Sequence, residues 1–220
     1  MDLRHVALIV WVLSWVGMTA AYTASVMGGH LDACVPHWSG CANISSSGRY
    51  GAAYFIFKAT MIPAGTFFAV YWWLCERWLR ASGDTPDFWR RAMFAVGVVG
   101  AAAFVLYATF LGSEGDPLYR ALRRYGTIVF FGFTYVAQLL LVHRVRAVLG
   151  DTRLVRIKVI VCAFMLVEGL ALEAFTYVIP DDAWLESLTE WHVAWALSFY
   201  PFLTWLVWRK AGVTFDVVRR

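Results

Sequence analysis

The amino-acid sequence predicts an all-α fold: a polytopic membrane bundle of six transmembrane helices with both termini in the cytoplasm. Of the 220 residues, 60% are apolar and only 15% are charged, which is far from the average of soluble domains. Six stretches stay mostly apolar for about 20 residues, the length that crosses the hydrocarbon core of a bilayer. The segments between them are short, so residues 1–220 should form a single transmembrane domain.

Each apolar stretch predicts one helix, and the first needs a separate argument. A positive charge at Arg4 precedes it and small residues at Ala20 and Ala21 lie near its end, as in a cleavable signal peptide. The stretch reaches residue 26, however, and a signal peptide has a core of about 7 to 15 residues, so we expect an uncleaved helix. The predicted helices cover residues 6–26, 52–75, 92–112, 125–143, 157–179 and 190–208.

Basic residues predict the orientation of the bundle, because cytoplasmic segments carry the excess of Lys and Arg. Fourteen of the 19 basic residues lie in the N-terminus, the second loop, the fourth loop and the C-terminus, against four in the first and third loops. Both termini should therefore be cytoplasmic, in a plasma or cytoplasmic membrane. The net charge of +4 then reflects topology and lipid contact, and we expect no nucleic-acid partner.

The first loop, residues 27–51, is the longest and should lie outside the cytoplasm. It contains Cys34 and Cys41, and an extracytoplasmic compartment permits a disulfide between them. The same stretch carries His30 and His37, so two histidines and two thiolates could instead bind tetrahedral zinc. Two free thiols are the third alternative. The sequence favours the disulfide, because four ligands crowded into one short loop lack the usual zinc scaffold.

Five ionisable residues lie inside apolar stretches or at the mouth of one. Such residues are costly in a membrane, and they usually face the bundle interior, a partner or a water-filled cavity. They are Lys58, Glu168, Glu173, Glu190 and His192. These positions are the strongest indication of where a functional site lies.

Helical rise predicts which of these charges can meet. At about 1.5 Å per residue, Lys58 and Glu173 both lie about 9 Å below the outer ends of their helices, which makes them expected ion-pair partners. Such a pair could serve helix register alone. Glu168 lies near mid-membrane, about 140° around the helix from Glu173, at the depth of Tyr135 and Gln138. Glu168 could also be a protonated, hydrogen-bonded carboxyl.

The top of the sixth predicted helix completes the candidate site. Glu190 and His192 should lie close to polar residues of the first loop, although both could also be solvated interface residues. The loop residues concerned are His30, Asp32, His37 and Ser39. Together with the intramembrane charges they predict a polar pocket that opens outward.

Three segments resemble a known family of six-helix membrane proteins. They are ISSSGRYG running into YFIFKATMIPAG, the segment RRYGTIVFFGFTYVAQLLLVHR, and the segment TEWHVAWALSFYPFLTW. The sequence resembles the damage-regulated autophagy modulator family, whose superfamily includes the FGF-receptor-activating protein and the N-terminal membrane part of cell-wall-biogenesis protein 43. The residues that carry the resemblance are Glu190, Trp191 and Tyr200, with Ile44, Ser45 and Gly48 in the loop.

The resemblance implies six helices, cytoplasmic termini and a role in handling or remodelling lipids. Members of the family often have a histidine at the head of the fourth helix, where this sequence has Arg124 and Tyr125. A catalytic role is therefore not carried over to that position.

The leading functional hypothesis is a bundle that binds or helps to remodel a membrane lipid. Arg49 and Lys58 would attract phosphate, and Glu168 would complete the ligand-binding set with Glu173, Glu190 and His192. The last three are also the candidates for acid and base work. If the protein is an enzyme, acyl transfer or hydrolysis is the natural reaction, with a loop serine such as Ser39 or Ser46 as nucleophile.

Two other functional classes stay open. The protein could be a non-catalytic scaffold or regulator of other membrane proteins, or a proton-coupled carrier that uses Glu168 and Glu173. No nucleophile elbow or metalloprotease motif occurs in the sequence. We expect no cofactor.

Overall fold

The computed structural model describes residues 2–85, 87–112, 116–176, 178 and 183–214, and all regular structure in these ranges is helical. The helices are α1 (His5–Met27), α2 (Pro36–Ser39), α3 (Ile44–Ser47), α4 (Gly51–Ala81), α5 (Asp87–Phe110), α6 (Pro117–Leu149), α7 (Arg153–Thr176) and α8 (Ala183–Lys210). Five of them, α1 and α4 to α7, are long and apolar enough to cross a membrane. The all-helical, multi-pass membrane class predicted from the sequence is confirmed.

The long helices extend beyond the ends predicted from hydropathy. Helix α4 continues to Ala81, and α6 begins at Pro117 instead of residue 125. A hydropathy window detects only the apolar centre of a helix, whereas backbone hydrogen bonding continues into its polar ends. At the start of α6 the side chain of Asp116 accepts a hydrogen bond from the Leu118 N–H at 2.8 Å. An Asp cap followed by Pro is a helix-start signal. Residues 177 and 179 of the predicted fifth helix lie outside the described residues.

The six long helices are arranged in a ring. Neighbours pack in the order α1, α4, α5, α6, α7 and α8, and α8 returns to α1. One end of the ring carries residues 28–50 with α2 and α3, and we call it the loop end. The opposite end carries Asp2, the 82–85 turn and Lys210, and we call it the terminal end.

Small residues allow the long helices to approach closely. A Cβ atom placed on Gly17 of α1 would collide with Thr60 of α4, and one on Gly97 of α5 would collide with the ring of Trp72. Because lipid tails are as apolar as side chains, helices in a membrane associate largely through such close packing. Between these interfaces lies an aromatic core in which Phe104 stacks on Phe130, with ring centroids 4.2 Å apart.

Helices α6 and α8 are joined by two hydrogen bonds that meet at one residue. The Gln138 side-chain Nε2 donates to the Leu197 carbonyl at 2.9 Å, and the Tyr200 hydroxyl donates to the Gln138 carbonyl at 2.8 Å. All three residues are buried. The two bonds fix the point at which these helices meet.

The 28–50 segment folds over the loop end and is attached to α8. Cys34 and Cys41 form a disulfide, which confirms the favoured one of the three alternatives and leaves no thiolates there for zinc. The Trp191 indole N–H donates to the Ala42 carbonyl at 2.7 Å. Gly40 has a positive φ of 59°, and its Cβ position is blocked by the Trp184 carbonyl, so only glycine fits this turn.

Buried ion pairs fasten the terminal end. Asp84, in the turn after α4, accepts hydrogen bonds from the Arg144 guanidinium of α6, including one from Nε at 3.0 Å. Arg90 of α5 donates to the Asp84 carbonyl at 2.6 Å and lies 3.2 Å from a Glu76 oxygen. The network therefore connects α4, α5 and α6. Hydropathy analysis places Arg144 in a solvated loop, whereas the structure buries it.

We predict that Asp84→Asn destabilises the bundle. Removing one partner of a buried ion pair leaves the other charge uncompensated, which costs about 3–5 kcal/mol. Thermal unfolding of the detergent-solubilised protein measures the effect. The matched control is Asp151→Asn, because Asp151 is half exposed and its ion pairs with Arg146 and Arg156 are long. Equal melting temperatures for the two variants would contradict the structural role given to Asp84.

Candidate functional site

A basic pocket of about 440 Å³ lies at the loop end between α5, α6, α8 and the 28–50 segment. Its residues share a polar or charged character, apart from one aliphatic side chain. They are Ser45, Tyr107, Arg120, Arg123, Arg124, Thr127, Ile128 and Glu190. Glu190 belongs to the site predicted from the sequence, whereas the three arginines do not.

The arginines come from one face of α6. Arg120, Arg123, Arg124 and Thr127 follow the spacing i, i+3, i+4 and i+7, which places them on the same side of a helix. Among the described residues, none of the three guanidinium groups lies within ion-pair distance of a carboxylate. The helix predicted from hydropathy begins only at residue 125, so the sequence places all three arginines in the preceding loop. The Asp116–Pro117 pair is a helix-start signal, and a helix that begins there places the three arginines on one face.

Glu190 forms the opposite wall of the basic pocket. The backbone N–H groups of Ile44 and Ser45, in the first turn of α3, lie against its carboxyl group. Helix α3 is held in place by Asn43, whose side chain accepts a hydrogen bond from the Ser46 N–H at 2.6 Å. The neighbouring Trp191 bond to the 28–50 segment fixes the same wall from the other side.

Tyr107 also lines the basic pocket. It is buried, contacts Ser45, and interacts electrostatically with Glu190, Arg123 and Arg49. Arg49 is half-buried, and its Nε has no hydrogen-bond partner among the described residues. The pocket is therefore lined by arginines of α6, by the carboxyl group of Glu190 from α8, and by the phenol of Tyr107.

The basic pocket reaches the lipid-facing side of the bundle. Ile128 lines the pocket and is 56% exposed. Tyr125 and Phe133, its neighbours on α6, are also exposed. Helices α6 and α8 meet at Gln138, ten residues or about 15 Å further along α6. Helix α7 does not close the gap, because its buried residues end at Met165 and those beyond are half-buried or exposed.

Below the basic pocket an apolar crevice continues into the bundle. Tyr107 and Glu190 line both spaces, and the crevice is otherwise walled by residues such as Phe57, Phe104 and Phe130. Its volume is about 30 Å³. That is room for about one or two water molecules, so no acyl chain fits there in this conformation.

His192 and Glu168 form a second cluster on another side of α8. Because Glu190 and His192 are two residues apart, they point about 200° away from each other around the helix. His192 Nδ1 lies 3.4 Å from a Glu168 oxygen, at ion-pair distance without hydrogen-bond alignment. The single pocket predicted from the sequence is thus two separate clusters.

The hydrogen bonds of His192 decide which nitrogen carries a proton. Its Nε2 lies 2.9 Å from the His37 carbonyl, which can only accept, so Nε2 carries a hydrogen. The other ring nitrogen, Nδ1, faces Glu168. His192 borders a cavity of about 360 Å³ that is lined by Trp15, His37, Phe164, His192 and Trp195.

The remaining predicted site residues lie apart from both clusters. Lys58 donates to the Tyr54 hydroxyl at 2.5 Å and lies over the same ring. Glu173 is exposed on α7, and α7 packs against α6 and α8. The structure therefore does not support the expected ion pair between Lys58 and Glu173.

The expected partners of Glu168 are also engaged elsewhere. Tyr135 donates to the Cys162 carbonyl at 3.3 Å, and Gln138 binds α8. The loop serines bond to backbone: the Ser39 hydroxyl donates to the Val35 carbonyl and the Ser46 hydroxyl to the Asn43 carbonyl. The described residues bring no serine to His192.

Lys158 is a buried amine that the charge count grouped with the fourth loop. It lies in α7, and none of its surface is exposed. Its Nζ donates to Thr204 Oγ1 at 2.7 Å and lies 3.4 Å from the centre of the Tyr200 ring. The thiols of Cys75 and Cys162 lie nearby. Among the described residues no carboxylate pairs with it.

No family model, no curated protein and no solved structure matches this chain. The functional conclusion therefore depends on the geometry of the chain itself. The predicted resemblance to the autophagy-modulator family stays a prediction.

We predict that Lys158→Met leaves the bundle as stable or makes it more stable. Replacing a buried charged group by an apolar side chain of similar size removes a desolvation cost and is often stabilising by about 1–4 kcal/mol. Lys158→Ala is the comparison, because the cavity it leaves should cost about 2–5 kcal/mol relative to the methionine variant. Melting temperatures of the three proteins test this. A methionine variant that unfolds as easily as the alanine variant would contradict it.

We predict that acid loosens the 28–50 segment through His37. Burial, and secondarily the nearby His192, lower the pKa of His37 below its ordinary value of 6.5. The unfolded state therefore binds the proton first as pH falls, so stability present above pH 6.5 is lost below it. Melting temperatures between pH of about 7.5 and about 5.5 should fall less in His37→Gln than in the wild type. The exposed His30→Gln should retain the full pH dependence.

Proposed function

We propose that this protein is a six-helix membrane protein that binds the phosphate-bearing head group of a lipid in the basic pocket. The observation that supports it is the pocket itself: Arg120, Arg123 and Arg124 line a space of about 440 Å³. Guanidinium groups bind phosphate through charge-assisted, often bidentate hydrogen bonds. Three of them in one pocket are well suited to a phosphate.

The position of the pocket favours a lipid over a soluble anion. Ile128 connects it with the lipid-facing side of α6, and the gap between α6 and α8 leaves a lateral entrance. The crevice beneath is too small for an acyl chain. The head group would enter the pocket while the tails stay in the bilayer beside α6.

The proposal includes the orientation of the bundle. Helix α8 crosses as the sixth span, since its 28 residues reach about 42 Å at the helical rise. With both termini in the cytoplasm, as the basic residues predict, the loop end lies outside. The lipid would then come from the outer leaflet. The Cys34–Cys41 disulfide is consistent with an oxidising exterior.

Lipid binding, and not lipid hydrolysis, is the function that the geometry supports. The serine and histidine groups of the acyl-transfer hypothesis do not meet among the described residues. The lipid-handling role implied by the family resemblance agrees with this proposal but does not test it.

We predict that Arg123→Gln weakens lipid binding about tenfold or more, as expected for the loss of a charge-assisted hydrogen bond. Arg123 is the test residue because it adjoins Tyr107 and is less exposed than Arg120 and Arg124. Native mass spectrometry of the purified protein with phosphatidylglycerol measures the affinity. Arg153→Gln is the control, since Arg153 is exposed at the terminal end.

Inorganic phosphate and glycerol phosphate are the soluble competitors in the same measurement. A lipid site requires that phosphatidylglycerol binds more tightly than either of them. If Arg123→Gln and Arg153→Gln lose equal affinity for phosphatidylglycerol, the basic pocket is not the binding site. If phosphatidylglycerol and free phosphate bind with equal affinity, the ligand is not a lipid.

A further inference from the structure

We propose that the basic pocket selects a zwitterionic head group that carries a primary ammonium in addition to its phosphate, as phosphatidylethanolamine does. This inference rests on the proposed function and names the lipid class for the same site. It comes from Glu190, the one acidic residue that lines the pocket among the described residues.

Glu190 faces the arginines across the pocket without pairing with them. The described residues show no contact within 4 Å between the Glu190 carboxylate and Arg120, Arg123 or Arg124. Tyr107, which lines the same pocket, interacts electrostatically with both Glu190 and Arg123. A site built for an anion alone would be weakened by a carboxylate on its wall. A ligand with both charges compensates both walls.

The neighbours of Glu190 keep its carboxyl group in place. Ile44 and Ser45 present their N–H groups to it, and α3 is capped by Asn43. Trp191, the next residue of α8, is tied to the Ala42 carbonyl. The acceptor is therefore positioned before a ligand arrives, which lowers the cost of ordering it on binding.

The chemistry of the acidic wall favours a primary ammonium over a trimethylammonium. An –NH₃⁺ group donates three hydrogen bonds, and the Glu190 carboxylate and Ser45 hydroxyl offer oxygen acceptors. Quaternary ammonium groups are instead held against several aromatic faces. Tyr107 is the single aromatic residue lining this pocket among the described residues. Phosphatidylcholine should accordingly bind more weakly than phosphatidylethanolamine.

The pocket has room for the whole head group. Phosphate at Arg123 and ammonium at Glu190 would both lie within its volume of about 440 Å³, which Tyr107 also lines. Thr127 and Ile128 mark the rim at which the glycerol part would leave for the bilayer. The head group would thus cross the pocket from the α6 wall to the α8 wall.

The test compares three short-chain lipids on the intact, detergent-solubilised protein by native mass spectrometry: phosphatidylethanolamine, phosphatidylcholine and phosphatidylglycerol. The wild type should prefer phosphatidylethanolamine to each of the others by about tenfold, the effect of one charge-assisted hydrogen bond. This comparison needs no variant. Equal binding of phosphatidylethanolamine and phosphatidylglycerol would overturn the inference and leave the proposed function intact.

The same comparison is repeated with the Glu190→Gln variant. The variant should lose the preference for phosphatidylethanolamine. Its affinity for phosphatidylglycerol should stay equal or rise, because the substitution removes a negative charge from the pocket. Glu186→Gln is the matched control: the same charge is removed one turn earlier on α8, at an exposed residue that does not line the pocket. Loss of selectivity in both variants would contradict the role of Glu190. Soluble glycerophosphoethanolamine binding as tightly as the lipid would support the ammonium site and refute the lipid source.

Discussion

The position at which α6 meets α8 determines the functional geometry of this bundle. Gln138 gives a side-chain hydrogen bond to α8 and receives one from Tyr200 on its own carbonyl, and both bonds lie between buried residues. Unpaired polar groups are expensive there, so the contact is strongly held. Toward the loop end, residues of both helices line the basic pocket.

The arginines of the two ends show how the same residue type serves structure or binding. At the terminal end, Arg90 and Arg144 are buried, and each is bonded to a carboxylate and a backbone carbonyl. Their hydrogen-bonding capacity is largely used within the protein. At the loop end, Arg120, Arg123 and Arg124 share a helix face beside a cavity and have no carboxylate partner among the described residues. This arrangement is the basis of the anion-binding site proposed above.

Hydropathy was sufficient for the class of fold, because five of the apolar runs are long enough to cross a membrane. It was insufficient for the site, for two physical reasons. Polar helix ends fall below any hydropathy threshold, which hid the arginine face of α6. Equal depth also does not make two residues neighbours: Lys58 and Glu173 share a depth but lie on helices that are not adjacent in the ring. The proximity of His192 to His37, in contrast, followed correctly from a loop that must cover the nearest helix ends.

The attachment of the 28–50 segment to α8 has a consequence for biogenesis. The Trp191 bond to the Ala42 carbonyl joins residues separated by 149 positions in the chain. A ribosome delivers the first loop to the membrane long before the last helix. Ser45 therefore has no contact with Glu190 of α8 while the four helices α4 to α7 are inserted. The basic pocket is completed only when α8 supplies Glu190, so a truncated chain that lacks α8 has all three arginines but lacks the acidic wall.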